Sequence, residues 1–272
     1  MDVSTLKTDG FVSLTYPPQL RAPVHNAMQS WRTFCDLPQE SKDILADGNR
    51  IHDFGYMRRN DTGDRSDNKE LFHLVGRDLP LLYEKSEYIK DVRAIHFIRA
   101  IDSLLHATGP LIREFACKVE QQYNLHGFEQ QVMKSQDNWT FRYLHYFGGD
   151  ILAHAHADRG GFTFHLQESA GGGEYLDFGH VWRPWLVNED QTIIFPGLGL
   201  QYRSEGVLKA LYHRVQATPE TTCKGRYSMV LFIDFKQDHR FNKEVYRVQD
   251  LPEGFNYDMP FSEFAEFFVP RT

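Results

Sequence analysis

Cysteine is scarce in this 272-residue chain: Cys35, Cys117 and Cys223 lie far apart and show no metal-ligand spacing. An odd, unpatterned set reads as buried or inert thiols in a reducing compartment and gives no support to a disulfide framework. Positive charge is also short. The 30 Lys and Arg stand against 37 Asp and Glu, a formal net charge of -7, so the electrostatic footprint of a general nucleic-acid binder is missing. No apolar run approaches the ~20 residues that a membrane helix needs. The first ten residues, MDVSTLKTDG, contain no apolar stretch of the secretory type. These absences predict a cytoplasmic protein with neither nucleic acid nor membrane as partner, its oligomeric state left open. Internal repeats, low-complexity stretches and Gly/Ser/Pro-rich linkers are absent too, which predicts one domain over residues 1–272. Aromatic residues, by contrast, are plentiful: 21 Phe and 13 Tyr within a 14% aromatic fraction point to a core and pockets lined with rings.

The periodicity of the apolar residues changes along the chain. Residues 18–46 predict two helices, the first carrying Val24, Met28, Trp31 and Phe34 at helical spacing and the second starting near Pro38. Residues 47–70 are polar and turn-rich, suiting a long loop with one short strand. From 88 to 123, Val92, Ile95, Ile98, Ile101, Leu105, Ile112, Phe115 and Val119 recur at helical intervals, with a kink or break expected at Gly109-Pro110. After Asn138 the period becomes two. WTFRYLHYF, GFTFHLQ, TIIFPG, LGLQYR and RYSMVLFIDF are predicted strands separated by Gly-rich turns. The expected fold is mainly β with helices (α+β), a jelly-roll or barrel core packed against N-terminal helices. The helix-rich part covers 1–136, the core 137–240 and a C-terminal extension 241–272, where MPFSEFAEFF predicts a short helix capped by Ser262.

The sharpest local feature is His156-Ala157-Asp158. On a strand, residues i and i+2 share a face, so both side chains can converge on one point. A third ligand has to come from elsewhere, and His213 is the evident candidate. Two imidazoles and one carboxylate on one face of an octahedron leave the other face open, the arrangement that non-haem Fe(II) oxygenases use. The neighbouring His154-Ala155-His156 is an H-x-H of the kind found in cupins. Cupins, however, place a Glu four or five residues after the second His, where this chain has Gly160 and Gly161. His154 is therefore read as a near-site or surface residue.

Segment by segment, the chain resembles the isopenicillin N synthase-like family of Fe(II)/2-oxoglutarate-dependent oxygenases. HADRGGFTFHLQESAGGGEYL is similar to that family's H-T-D-x-x-x-L-T-L-L-x-Q followed by a Gly-Gly turn and a strand. VWRPWL, GLGLQYRSEGVLKALYHRV and RYSMVLFIDF continue the likeness, the last matching an R-x-S and an apolar strand. DGFVSL, WRTFCDLPQESK, GYMRR and DNKELFHL resemble the N-terminal part more faintly. The resemblance implies a double-stranded β-helix and an oxidoreductase that uses Fe(II), O2 and 2-oxoglutarate to oxidise a small molecule, releasing succinate and CO2. By position it implies that His156, Asp158 and His213 hold the iron. Arg226 and Ser228 would hold the distal carboxylate of 2-oxoglutarate, with Tyr146 assisting.

That chemistry suits those groups. A buried carboxylate must be paired, and the planar fork of an arginine binds one through two parallel bonds without losing its charge. Two other readings stay open: an iron oxidase of this fold that does not use 2-oxoglutarate, and a non-catalytic binding or sensor protein. Leu144, Leu198, Glu205 and Ala210 depart from common family residues and mark a divergent member. His165 replaces a Leu and is expected to point to solvent. Arg58, Arg59 and Arg65 lie in a loop that, in the family, helps cover the substrate, and they are read equally as an acid-binding set or a solvated charged loop. Trp139, Phe162 and Phe164 are read as core rather than pocket.

Overall fold

The computed structural model describes residues 1–46, 54–59, 68–147, 151–185, 187–235 and 260–266. Helix α1 (Thr5–Thr8) and strand β1 (Val12–Thr15) open the chain, followed by α2 (Pro18–Cys35) and α3 (Gln39–Asp43). Strands β2 (Gly55–Arg59) and β3 (Lys69–Val75) lead into α4 (Leu79–Ser86), α5 (Val92–Tyr123) and α6 (Phe128–Lys134). The strand-rich half then runs β4 (Thr140–Tyr146), β5 (Ile151–His156), β6 (Phe162–Glu168), β7 (Gly173–Leu176), β8 (Trp182–Pro184) and β9 (Gln191–Pro196). It closes with α7 (Leu198–Arg203), β10 (His213–Gln216), α8 (Pro219–Lys224), β11 (Arg226–Ile233) and α9 (Phe261–Glu266).

The strands form a seven-stranded sheet, β1-β9-β6-β11-β4-β3-β2, and a four-stranded sheet, β5-β10-β7-β8. Every pairing between these strands is antiparallel. This is the expected jelly roll, and three strands of its large sheet come from the helix-rich part of the chain.

Strand alternation divides the large sheet into two faces. On β4, Phe141 and Tyr143 face the helices and join Trp31, Phe34, Phe72 and Phe97 in the main core. The Phe34 and Phe97 ring centroids are 4.8 Å apart, and those of Phe97 and Tyr143 are 5.1 Å apart. Trp139, Phe162 and Phe164 are buried in the same core, as read from the sequence. Leu71, Leu144 and Tyr146 point the other way and pack with Leu152 and Val215 from the small sheet. The space between the sheets is where the site lies.

Helix α5 runs unbroken through Gly109 and Pro110, so the pair does not split it. Proline removes one donor, and the carbonyl four residues back that loses it belongs to His106. Both Pro110 and His106 are on the exposed face, where that carbonyl is open to water. Twelve buried residues along the helix hold it in the core. Asp91 caps it by accepting from the Arg93 N–H, and Asn124, at φ 55°, ends it in the left-handed conformation.

LGLQYR is the second departure: it forms helix α7, not a strand. All of Leu198–Tyr202 is buried, so the run carries no in–out alternation that would distinguish the two periods. In the 47–70 stretch, β2 is the expected short strand and the start of β3 pairs with it. Arg65 falls outside the described residues, as does most of the C-terminal extension. Ser262 is the second residue of α9 rather than its cap; the Pro260 carbonyl accepts there from the Glu263 and Phe264 N–H groups.

A buried polar hub ties α2, α3 and β2 to β3 and β4. Glu70 Oε2 accepts from Lys42 Nζ and from the Tyr56 hydroxyl, each at 2.8 Å, and Glu70 Oε1 lies 2.8 Å from His145 Nδ1. The Lys42 and Glu70 side chains are 5% and 6% exposed. Burial raises the Glu70 carboxyl's pKa, but the bonds from His145, Lys42 and Tyr56 outweigh this and hold it at about 2. A folded value below the unfolded one of about 4.3 means that its stabilisation is complete above the latter and is lost as pH falls towards 2. Glu70→Ala should cost about 3–5 kcal/mol at neutral pH, because it strands a buried ammonium. Urea unfolding of the variant checks this, and the difference from the parent should shrink as the pH is lowered.

Candidate metal centre and co-substrate pocket

His156 ends β5 and His213 begins β10, and the two are direct cross-strand partners. Their ring centroids are 4.4 Å apart. Asp158 follows in the turn after β5. Its Oδ1 lies 3.6 Å from His156 Nε2 and 4.0 Å from His213 Nε2. The three ligand atoms all fall within 4.8 Å of one another. Bonds of about 2.1 Å to a divalent ion would set neighbouring ligand atoms roughly 3 Å apart, so a small contraction suffices.

The other atom of each group is already committed. His156 Nδ1 sits 2.7 Å from the His154 carbonyl, and His213 Nδ1 sits 3.0 Å from the Leu211 carbonyl. A carbonyl only accepts, so in each neutral ring Nδ1 carries the proton and Nε2 keeps a lone pair aimed at Asp158. Asp158 Oδ2 accepts from the Thr163 hydroxyl at 2.6 Å, leaving Oδ1 toward the imidazoles. Burial pushes the His213 imidazole down to about 4, which keeps it neutral at physiological pH. Burial also disfavours charge on Asp158, but His213, His156 and the Thr163 hydroxyl together hold its carboxyl well below the usual range. His156 shifts upward, its burial outweighed by the bond and charge of Asp158.

The turn that carries Asp158 is pinned from below by the start of α7. Leu198 N–H donates to the Asp158 carbonyl at 2.8 Å, Gly199 N–H to Gly160 at 2.8 Å, and Gly197 N–H to Gly161 at 2.9 Å. Only glycine fits at 197: a Cβ there would come within 2.3 Å of the Gly160 carbonyl oxygen and 2.9 Å of that of Asp158. His154 is exposed and contributes its carbonyl rather than its ring.

Across the large sheet, Arg226 on β11 is paired in register with Tyr146 on β4, so both project from the same face, and Ser228 follows two residues on. Arg226 and Ser228 are each 1% exposed. The expected trio is thus assembled, but the guanidinium already has a protein carboxylate. Arg226 Nη2 donates to Glu168 Oε2, and Nε donates to the Ala170 carbonyl at 3.1 Å. His165 also turns inward, with Nε2 2.9 Å from Glu168 Oε2, which corrects the expectation that it faces solvent. Alternation from Thr163 already puts His165 on the cavity face, and a bulge brings Glu168 to it. Ser228 and Met229 oppose Glu168 and Gln167, whereas Val230 opposes His165, so Leu166 is the extra residue. The bulge inverts the alternation and puts His165 and Glu168 on one face. Neither Thr163 nor Glu168 stands out in the sequence. Thr163 occupies the T-L-L stretch of the resemblance, while Glu168 leaves no local signal because alternation assigns it to the wrong side.

Cys35, Glu70 and His145 form a second group with ligand atoms within 4.8 Å. There the Lys42 ammonium already supplies the cation and Glu70 is already bonded by Lys42, Tyr56 and His145, so the group is the hub of the fold.

Residues 129–235 match the model of the 2OG-Fe(II) oxygenase superfamily. A protein of Caulobacter crescentus assigned to the 2OG-Fe(II) oxygenase family is 25% identical, with a TM-score of 0.74 over 97% of this chain and 90% of that one. The matched segment contains His156, Asp158, His213, Arg226 and Ser228. Both likenesses are to non-haem dioxygenases that work with Fe(II), 2-oxoglutarate and O2, and they support that chemistry for this chain. The match is to the superfamily as a whole rather than to its isopenicillin N synthase-like branch.

The fold is shared with a Neurospora crassa protein solved in complex with alpha-KG and thymine, at 18% identity and TM-score 0.72 over 93% and 86% of the two chains. It is shared also with the Arabidopsis thaliana dioxygenase for auxin oxidation in its 2-oxoglutarate complex, at 18% identity and TM-score 0.68 over 88% and 90%. No curated protein sequence matches the chain. Among the described residues no helix is long and apolar enough to cross a membrane.

Gly197→Ala should displace the turn under Asp158, lowering affinity for a divalent ion by about tenfold or more while costing about 1–3 kcal/mol of stability. Titration with Mn(II) and urea unfolding of the same variant separate the two effects.

Proposed function

We propose that His156, Asp158 and His213 hold the catalytic Fe(II), and that the protein oxidises, most simply hydroxylates, a small molecule while 2-oxoglutarate becomes succinate and CO2. The observation that carries this reading is the commitment of both Nδ1 atoms to backbone carbonyls. It leaves two Nε2 lone pairs and one carboxylate oxygen aimed at a common point. Two neutral imidazoles and a carboxylate are the donor set that suits ferrous iron with open positions. When bound, Fe(II) supplies the reaction of O2 that couples loss of CO2 from the 2-oxo acid to oxidation of the substrate.

The chain's own residues prepare the place. Asp158 offers the one negative charge of the ligand set, and Thr163 fixes which oxygen it presents. Trp185 and Phe195 flank the His213 ring at centroid distances of 5.6 and 5.0 Å and keep that side dry. Arg226 and Ser228, with Tyr146 opposite, are the groups we assign to the distal carboxylate of 2-oxoglutarate. Neighbours in fold bind thymine or 5-formyluracil, or are named for the oxidation of auxin, which supports a small-molecule substrate.

The first test is thermal. Without oxygen, Fe(II) with 2-oxoglutarate should raise Tm well above Fe(II) alone, by the equivalent of about 2.7 kcal/mol at roughly a hundred times Kd. Equal melting would remove 2-oxoglutarate from the reading. Second, Arg226→Met should weaken 2-oxoglutarate binding by at least about tenfold, each charge-assisted bond being worth about 1.5–3 kcal/mol. Calorimetric titration under the same anaerobic conditions measures it.

A further inference from the structure

We propose that Glu168 is an internal competitor for Arg226, and that it sets how strongly the pocket grips the distal carboxylate of its 2-oxo acid. The inference rests on the assignment of Arg226 to that carboxylate and asks what the guanidinium is doing beforehand. The Arg226 side chain is 1% exposed and that of Glu168 is 4% exposed, so neither charge is solvated and each is balanced by the other. The bulge at Leu166 is the backbone device that brings them together.

Glu168 is held in place. His165 Nε2 lies 2.9 Å from its Oε2 and Trp185 Nε1 lies 3.5 Å from the same oxygen. It cannot swing away without breaking these contacts inside the barrel. Its bond and that of the Ala170 carbonyl occupy the Nε–Nη2 edge of the guanidinium. A second carboxylate must therefore use the Nη1 side, on the face shared with Ser228 and Tyr146. Two carboxylates then share one cation in a medium of low dielectric, where their mutual repulsion is strong. The pocket meets a dianion with a nearly neutral pair instead of a bare positive charge. Its preference for 2-oxoglutarate over a 2-oxo acid without the distal group is correspondingly small.

A purely structural role for Glu168, holding the Arg226 side chain in one orientation, makes the opposite forecast: removing it would loosen the grip. The experiment is anaerobic titration of the Fe(II)-loaded protein with 2-oxoglutarate and with pyruvate, which has the same 2-oxo acid head and no distal carboxylate. In Glu168→Gln and in Glu168→Ala, the ratio of 2-oxoglutarate to pyruvate affinity should rise at least about tenfold over the parent. An unchanged or lower ratio in a folded variant overturns the proposal.

The parent protein tests it without any substitution. Its own ratio should be below roughly a hundredfold, the least that two uncontested charge-assisted bonds would give, and a larger ratio overturns the proposal even if both variants fail to fold. Arg226→Met separates the two levels of the argument. If that variant keeps the parent's ratio, the assignment of Arg226 has failed, and the competition fails with it. If it lowers the ratio while the Glu168 variants do not raise it, the competition alone has failed.

Discussion

The turn at Asp158 is held by backbone, and the candidate centre depends on that support. A carboxylate on a free loop would have to be ordered at the moment of ion binding, at a cost in conformational entropy for every residue fixed. Here the carbonyls of Asp158, Gly160 and Gly161 already receive N–H groups from residues 197–200. The small sheet brings both histidines in from one side while α7 braces the acid from the other. The side-chain bonds at Nδ1 of both rings and at Oδ2 finish the orientation. In each of the three groups the atom not held by the surrounding scaffold is the one that faces the other two.

Buried charge is treated in the same manner elsewhere in the molecule. Lys42 with Glu70 and Arg226 with Glu168 are each nearly inaccessible pairs, and each carboxylate is further bonded by neutral or titratable donors. Such pairs add little net stability over a well-packed apolar alternative, yet losing one member is expensive. On the helix side of the sheet the pair acts as a rivet between layers. On the barrel side an equivalent pair sits in register with Tyr146 and two residues from Ser228, the groups proposed for the distal carboxylate.

Much of this is legible in the sequence. The HxD motif, the distant His213 and the R-x-S pair are side-chain facts; the two-residue period of β11 places Arg226 with Ser228, whereas Asp158 lies in the turn beyond β5 and is placed by the brace from α7. The helical spacing in α2 and α5 marks their core faces. The misreadings share a cause. Gly109-Pro110 reads as a break because proline's local penalty is visible while the packing of twelve buried residues is not. LGLQYR reads as a strand because a fully buried run has no polar side to betray its period. Glu168 escapes a local reading because a bulge is fixed by the partner strand and not by the residues it displaces, whereas His165 is misread because its side of β6 faces a second sheet and not water.

That bulge has an evolutionary consequence. It is the one place on β6 where a codon can be lost without turning the rest of the strand over. With Leu166 deleted, His165 could still oppose Val230 and Glu168 could still oppose Ser228, now as ordinary neighbours two residues apart. A homologue with such a regular strand would carry its counterpart of Glu168 one step nearer His165. Ungapped alignment would then set that acid in the column of Gln167, whose side chain here shares the helix-facing side with Met229. Ancestry traced through columns would so equate a residue of the cavity with one of the core, and cross-strand register would be needed to recover the true correspondence.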